Sequence, residues 1–225
     1  MYTVTNADLA EKTYQALKTM ILRGELKPGE KLYQEKLADS LGISRTPLNS
    51  ALNRLEKELL VEALPRRGFY VKELTLKELR DLYDVRLRLE PLGAREAAEN
   101  GTADHRQKCM VLLEEYQSRE SEEYSVSFKE MDYRFHNLIM EMSGNFFLQK
   151  MIASYNLISL GNLQLFMDRA DFPRKTSDSL SEHKAILRSI LEGDSGGAEN
   201  VMFRHIKETR DLIDHRLSGA PYGET

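Results

Sequence analysis

The sequence predicts a mainly α-helical protein, with an N-terminal winged helix-turn-helix followed by an all-helical bundle. Helical periodicity dominates the chain, and only the first 74 residues also contain short β-rich segments. From residue 75 onward the apolar residues recur at helical spacing alone, and Thr75 can cap the first of these helices. We therefore expect domains at residues 1–74 and 75–217, with a flexible tail at 218–225.

The composition is that of a globular, intracellular protein. Of the 225 residues, 41% are hydrophobic and 30% are charged, which supports a packed core and argues against disorder. The single cysteine fits a reducing compartment. The N-terminus lacks the features of a signal peptide, and no apolar run approaches the ~20 residues of a membrane span. These observations predict a cytoplasmic protein without a membrane partner.

The N-terminal domain consists of helix, helix, tight turn, helix and hairpin, in that order. Apolar residues at helical spacing predict a first helix over residues 7–23. The second helix is expected at 34–41, where Gly42 ends it, and the third at 44–58. Two helices joined by such a turn are typical of a helix-turn-helix.

A β-hairpin follows the third helix. Its strands are predicted at residues 61–64 and 69–71, joined by the turn of Pro65 to Gly68. A basic hairpin after a helix-turn-helix is typical of a DNA-binding wing. Residues 1–74 are slightly basic in a chain whose net charge is −4, which suits a domain that contacts phosphates.

The residues predicted to contact DNA lie at the start of the third helix and on the wing. The helix begins with three polar residues, Ser44, Arg45 and Thr46. Arg45 can bind guanine through two hydrogen bonds, and the hydroxyls can bind phosphate. Alone, the tripeptide also fits an ordinary capped surface helix. Arg66 and Arg67, beside Gly68, fit either a solvated turn or a wing that contacts phosphate or the minor groove.

One arginine of the second domain lies on an apolar helix face. Arg86 falls within a stripe formed by Leu79, Leu89 and other apolar residues between positions 76 and 100. A guanidinium on such a face needs an anionic partner, because burying an unpaired charge is costly. The partner is either Glu90, one helical turn away, or the carboxylate of a ligand.

Four potential metal ligands lie on inward faces of three predicted helices. Asp132 and His136 are four residues apart, and His183 and His205 each align with apolar neighbours. Imidazole and carboxylate groups together suit zinc and other divalent transition metals. A single inward histidine, in contrast, is more often a core residue with satisfied hydrogen bonds.

The first domain resembles the GntR family of regulators. The resemblance rests on Leu37-Ala38, on the run from Leu41 to Pro47, on Ala51-Leu52, and on Gly68 of the wing. It implies binding to double-stranded operator DNA. Asn49 stands where the family usually has an arginine that contacts the operator. An asparagine can bind adenine edges but neutralises no phosphate, which puts the usual operator sequence in doubt.

The second domain is similar to the FCD-type effector domain of the FadR-like subgroup. The motifs are Tyr83-x-x-Arg86-x-x-Leu89-Glu90, Asp132-x-x-Phe135-His136, Glu182-His183-x-x-Ile186 and His205. The resemblance implies a homodimer of helical bundles. It also implies a divalent metal, zinc ahead of nickel or manganese, on four ligands: Asp132, His136, His183 and His205. A small carboxylate effector would bind beside the metal, with Arg86 as an anchor.

The predicted function is therefore operator binding modulated by a small organic acid, without catalysis. Two alternatives remain at this point. Three histidines, one aspartate and an open position on the metal could activate water, with Glu182 as a base, in an enzyme. The second alternative is a sensor that responds to the metal alone.

Overall fold

The computed structural model describes residues 6–118, 126–166 and 172–218. Its contacts divide the chain into two units, Met1–Leu74 and Thr75–Thr225. The elements of the first unit are α1 (Asn6–Arg23), β1 (Lys31–Leu32), α2 (Gln34–Leu41), α3 (Arg45–Lys57), β2 (Val61–Leu64) and β3 (Gly68–Val71).

Glycine and proline lie at the helix ends of the first unit, in positions that suit their backbone preferences. Gly42 ends α2 in the left-handed conformation, at φ 64°, which glycine adopts without steric cost. Pro47 lies in the first turn of α3, where its missing N–H breaks no helical hydrogen bond. Leu48, Leu52 and Leu55 of α3 are fully buried and form the centre of this domain's core.

The sheet of the first unit has three strands rather than the two expected. The strand order is β1-β3-β2 and all pairs are antiparallel. The β2–β3 hairpin is the predicted wing, with Leu64 opposite Gly68. The extra strand is Lys31–Leu32, which pairs with Tyr70 and Phe69. Two residues are too short for a period-2 pattern, so only the tertiary pairing identifies this strand.

The second unit is entirely helical in the part of the chain that is described. Its six helices are α4 (Leu76–Asn100), α5 (Ala103–Ser118), α6 (Val126–Ser143), α7 (Phe146–Phe166), α8 (Phe172–Glu192) and α9 (Ser195–Ser218). Of the predicted tail, residue 218 ends α9, and residues 219–225 lie outside the described residues. None of the described helices is long and apolar enough to cross a membrane.

Helix α4 packs against α6, α7, α8 and α9, and it therefore occupies the centre of the bundle. It begins with a capping box in which Thr75 and Glu78 exchange side-chain and backbone hydrogen bonds. Its buried face includes Arg86 and Glu90. At Gly93, an added Cβ would lie 2.4 Å from the Met140 side chain, so the missing side chain allows α6 to approach closely.

Candidate functional site

The predicted DNA-contacting residues at the start of α3 are exposed. Ser44, Arg45 and Thr46 all reach solvent. Ser44 has the extended backbone of an N-cap residue, but its side chain makes no capping hydrogen bond. Its hydroxyl is therefore not committed to the helix, and the exposed first turn presents backbone N–H groups as well.

Arg45 forms an ion pair with Glu35 of α2. The Arg45 and Glu35 side chains are 66% and 76% exposed, so the pair is weak and easily exchanged for a phosphate or a base.

Asn49 is half-buried and its side chain faces α2. Its Oδ1 accepts a hydrogen bond from Gln34 Nε2, the first residue of α2. The two amides together therefore connect the helices of the helix-turn-helix.

The wing turn places an arginine in a strained backbone conformation. The N–H of Arg67 donates to Leu64 O at 3.0 Å, which closes the turn over Pro65 and Arg66. Arg66 has φ 64°, a value that favours glycine or asparagine at this turn position. Both arginines are exposed. Backbone strain at an exposed charged residue motivates the hypothesis that this residue has a functional role.

The four predicted metal ligands lie together in the core of the helical bundle. Asp132 and His136 come from α6, His183 from α8 and His205 from α9, and all four are buried. One candidate ligand atom from each residue lies within 4.8 Å of all the others. The i, i+4 spacing on α6 holds the first two ligands on one rigid element.

Three separations within the cluster are close to those of ligands around a zinc ion. His183 Nε2 lies 3.2 Å from His205 Nε2 and 3.6 Å from Asp132 Oδ1. His136 Nε2 lies 3.8 Å from Asp132 Oδ2. Tetrahedral ligands about 2.1 Å from a central ion are roughly 3.4 Å apart. These three pairs of donor atoms therefore lie close to coordination spacing, and their imidazole and carboxylate chemistry suits a divalent transition metal.

Two of the histidines are oriented by buried or partly buried carboxylates. His136 Nδ1 contacts Glu90 Oε2, and His205 Nδ1 lies 2.7 Å from Glu182 Oε2. A carboxylate only accepts hydrogen bonds, so each Nδ1 carries the proton. The Nε2 lone pair of each ring is then directed at the cluster, as a metal ligand requires.

The third histidine is oriented by a tyrosine. His183 Nδ1 lies 3.0 Å from the hydroxyl of Tyr116, which is fully buried. That hydroxyl lies 3.4 Å from Met131 O, to which it can donate while it accepts from His183. Sequence reasoning did not identify Tyr116, because no local pattern distinguishes it from an ordinary core residue.

Arg86 is buried and its ion pair is with Glu90. Its Nε donates to Glu90 Oε1, and its Nη1 donates to Ser159 Oγ at 2.9 Å. Burial raises the pKa of Glu90, but the charge of Arg86 and the hydrogen bonds from His136 and Arg86 hold that pKa far below its usual range. The intrahelical partner considered from the sequence is therefore present. Within the described residues, no hydrogen bond involves Nη2 of Arg86, so this nitrogen is available to donate to a ligand.

Further polar residues near these groups were not predicted from the sequence. Asn156, Ser159 and Asn162 are buried along α7, at a spacing of three residues. Within the described residues, Asn156 Oδ1 has no hydrogen-bond partner. Polar residues at this spacing in an otherwise apolar helix are the signal that could have identified them.

Lys129 is a buried cation one helical turn before Asp132 on α6. Lys129 is only 6% exposed, and burial lowers the pKa of its amine. The partner of its Nζ in the described part of the chain is the side-chain oxygen of Gln164, a neutral group. Among the described residues, no carboxylate contacts the amine of Lys129.

Comparisons with known proteins agree with both domains. Residues 9–71 match the bacterial regulatory proteins of the gntR family. Residues 81–208, more than half of the chain, match the FCD domain. Among solved structures, E. coli McbR/YncC has the same fold, with a TM-score of 0.80 at 22% identity over 96% of this chain and 100% of its own.

Relatives of similar length carry the same description. The chain is 28% identical to the uncharacterized HTH-type transcriptional regulator YdhC of Bacillus subtilis, over 91% of this chain and 90% of that protein. It is 24% identical to the HTH-type transcriptional repressor GlaR of Escherichia coli, over 96% and 99% of the two chains. The chain therefore belongs to the GntR family of DNA-binding transcriptional regulators and carries an FCD domain.

Proposed function

We propose that operator binding by this regulator is modulated by a small carboxylate, which binds beside a divalent metal in the FCD domain. The observation that carries the proposal is the buried cluster of Asp132, His136, His183 and His205, whose candidate ligand atoms all lie within 4.8 Å of one another. Zinc is the preferred ion, ahead of nickel and manganese. When bound, the metal would supply a Lewis-acidic centre for a ligand oxygen.

Buried basic side chains of the helical bundle support an anionic ligand. Lys129 is a buried cation whose described partner is neutral, and Arg86 retains Nη2 as a donor. A carboxylate that accepts a hydrogen bond from Arg86 would be held by a charge-assisted interaction. The buried amide of Asn156, with its unpartnered Oδ1, could accept a hydrogen bond from a hydroxyl or amine of the same ligand.

For operator recognition we propose contacts from Ser44, Arg45, Thr46 and Asn49 of the helix-turn-helix and from Arg66, Arg67 and Gly68 of the wing. Exposure at the start of α3 and on the wing supports this assignment. Because it acts on DNA, we expect the protein to work in the cytoplasm.

We also propose that the protein acts as a homodimer. Helix α7 is apolar on most of its sides, which is typical of a helix that is buried all round. Yet Phe147, Met151 and Leu165 on this helix are exposed, Phe147 to 73%. On α4, which packs against α7, Val85 and Leu92 are exposed too. A second copy of the chain would cover these residues. A dimer would also carry two helix-turn-helix domains, which suits an operator with two symmetric half-sites.

The enzymatic alternative is less well supported. Glu182, the candidate base, lies 2.7 Å from His205 Nδ1 and so serves to orient a ligand ring. A sensor of metal alone does not explain the buried guanidinium of Arg86, which is linked to His136 through Glu90. Membership of the GntR family also favours a regulator over an enzyme, because that family consists of bacterial regulatory proteins.

Native mass spectrometry of the purified protein tests the proposal. We expect one metal ion and one small acid per chain. Removing the metal with a chelator should release the acid. It should also change the affinity of the protein for DNA, measured on a duplex that the wild-type protein selects from a random library. Retention of the acid after complete metal removal would contradict the shared site. Conversion of the acid to a product would support an enzyme instead.

A further inference from the structure

We propose that Glu90 is a positioning residue that couples Arg86 to the metal through His136, so that a change at the arginine alters metal affinity. The inference rests on the proposed function, because it assumes that the histidine cluster binds a metal. It adds a role for a residue that touches neither the metal position nor the effector.

Glu90 contacts both neighbours, one with each carboxylate oxygen. Its Oε1 accepts from Arg86 Nε, and its Oε2 contacts His136 Nδ1. All three residues are buried, at 2% exposure or less, so water does not compete for these hydrogen bonds. The rotation of the carboxylate is therefore set by the arginine, and the rotation of the imidazole is set by the carboxylate.

The arginine is itself held in place at two points. Nη1 donates to Ser159 of α7, and the guanidinium lies 4.8 Å from the centre of the Tyr83 ring. A ligand that accepts from Nη2 would pull the guanidinium toward itself. The displacement would reach His136 Nε2 through only two hydrogen bonds, without movement of a helix.

Glu182 provides an internal comparison. It orients His205 as Glu90 orients His136, but no arginine contact to it is found within the described residues. Replacing either glutamate by glutamine should weaken Zn²⁺ binding by about 10- to 100-fold, because each replacement removes the negative charge that strengthens the hydrogen bond from Nδ1–H and makes the imidazole a more basic ligand. Only the loss of Glu90 should also disconnect Arg86 from the metal.

The test is a double-mutant cycle on Zn²⁺ affinity, measured by chelator competition on the full chain. Arg86→Lys keeps the buried charge but loses the fixed fork of donors that orients Glu90. We expect Arg86→Lys to weaken Zn²⁺ binding by about fivefold in a chain with Glu90, and by less than about twofold in the Glu90→Gln chain. In the Glu182→Gln chain the effect of Arg86→Lys should remain about fivefold.

Absorption of bound Co²⁺ provides a second readout, because its d–d bands shift when a histidine ligand reorients. We expect Arg86→Lys to shift these bands only when Glu90 is present. Equal effects of Arg86→Lys in the wild-type and Glu90→Gln chains, in a folded protein, would overturn the coupling and leave the metal site intact. A wild-type chain that binds neither Zn²⁺ nor Co²⁺ would overturn the proposed metal site, and the coupling with it.

Discussion

Arg45, the first residue of α3, pairs with Glu35 on the preceding helix, and both side chains are largely exposed. If Arg45 contacts the operator as proposed, the carboxylate of Glu35 competes with DNA for the guanidinium and repels phosphate. An exposed pair of this kind is worth only about 0–1 kcal/mol, so the energetic cost of replacing it by a DNA contact is small.

Glu35→Gln should therefore strengthen DNA binding, by up to about fivefold, since it removes a competitor worth up to about 1 kcal/mol. Arg45→Ala should weaken specific binding by about 1–3 kcal/mol, the value of one bidentate base contact. Fluorescence anisotropy with selected and random duplexes measures both effects. If Arg45→Ala left the ratio of the two affinities unchanged, Arg45 would not contribute to specificity.

Arg66→Gly should separate stability from DNA binding at the wing. Glycine relieves the positive φ of residue 66 and should raise the free energy of unfolding by about 1 kcal/mol. The lost charge should reduce the slope of log affinity against log salt by about 0.9. Arg67→Gly is the control, because it removes a charge without relieving a positive φ. Tighter DNA binding by Arg66→Gly would contradict a phosphate contact at this position.

His183→Ala should abolish metal binding, because it removes a ligand outright. We expect affinity to fall by more than the ~10- to 100-fold typical of residues that only orient ligands. His105→Ala is a matched control, since His105 lies on α5, 3.4 Å from Glu141 and away from the cluster. Elemental analysis measures the metal content of the purified variants. Equal metal content in His183→Ala and in the wild type would exclude His183 from the site.

Arg86→Met should destabilise the FCD domain by about 3–5 kcal/mol, because it leaves the Glu90 carboxylate buried without its guanidinium partner. Replacing both residues by Met should recover most of that loss. Arg210→Met, which breaks partly exposed ion pairs with Asp84, Asp211 and Asp214, should cost less, because each such pair is worth only about 0–1 kcal/mol. Urea denaturation of the metal-free variants measures these differences, and a similar cost for both arginines would show that the buried pair has no special role in stability.

Phe147→Glu should convert the proposed dimer into a monomer, because it places a charge in the apolar face of α7. Val111→Glu is the matched control, an exposed apolar residue on α5 that is not part of that face. Light scattering should give the 25.9 kDa mass of one chain for Phe147→Glu and twice that mass for wild type and control. A dimeric Phe147→Glu protein would show that the interface does not include Phe147.

Much of this protein could be predicted from the sequence because the signals are local or periodic. Gly42 and Thr75 act on their own helix ends, and each is found at the helix end where the sequence predicts it. The inward positions of His183 and His205 follow from the 3.6-residue period of their helices, and both residues are buried.

The tertiary structure alone decided which side chains meet. Strand β1 exists only because Lys31 and Leu32 pair with β3, a contact that no local pattern signals. The orientation of His183 by Tyr116 joins residues 67 positions apart. Periodicity shows that a residue faces inward, but the neighbour it faces depends on how separate helices pack, and that is a property of the folded chain.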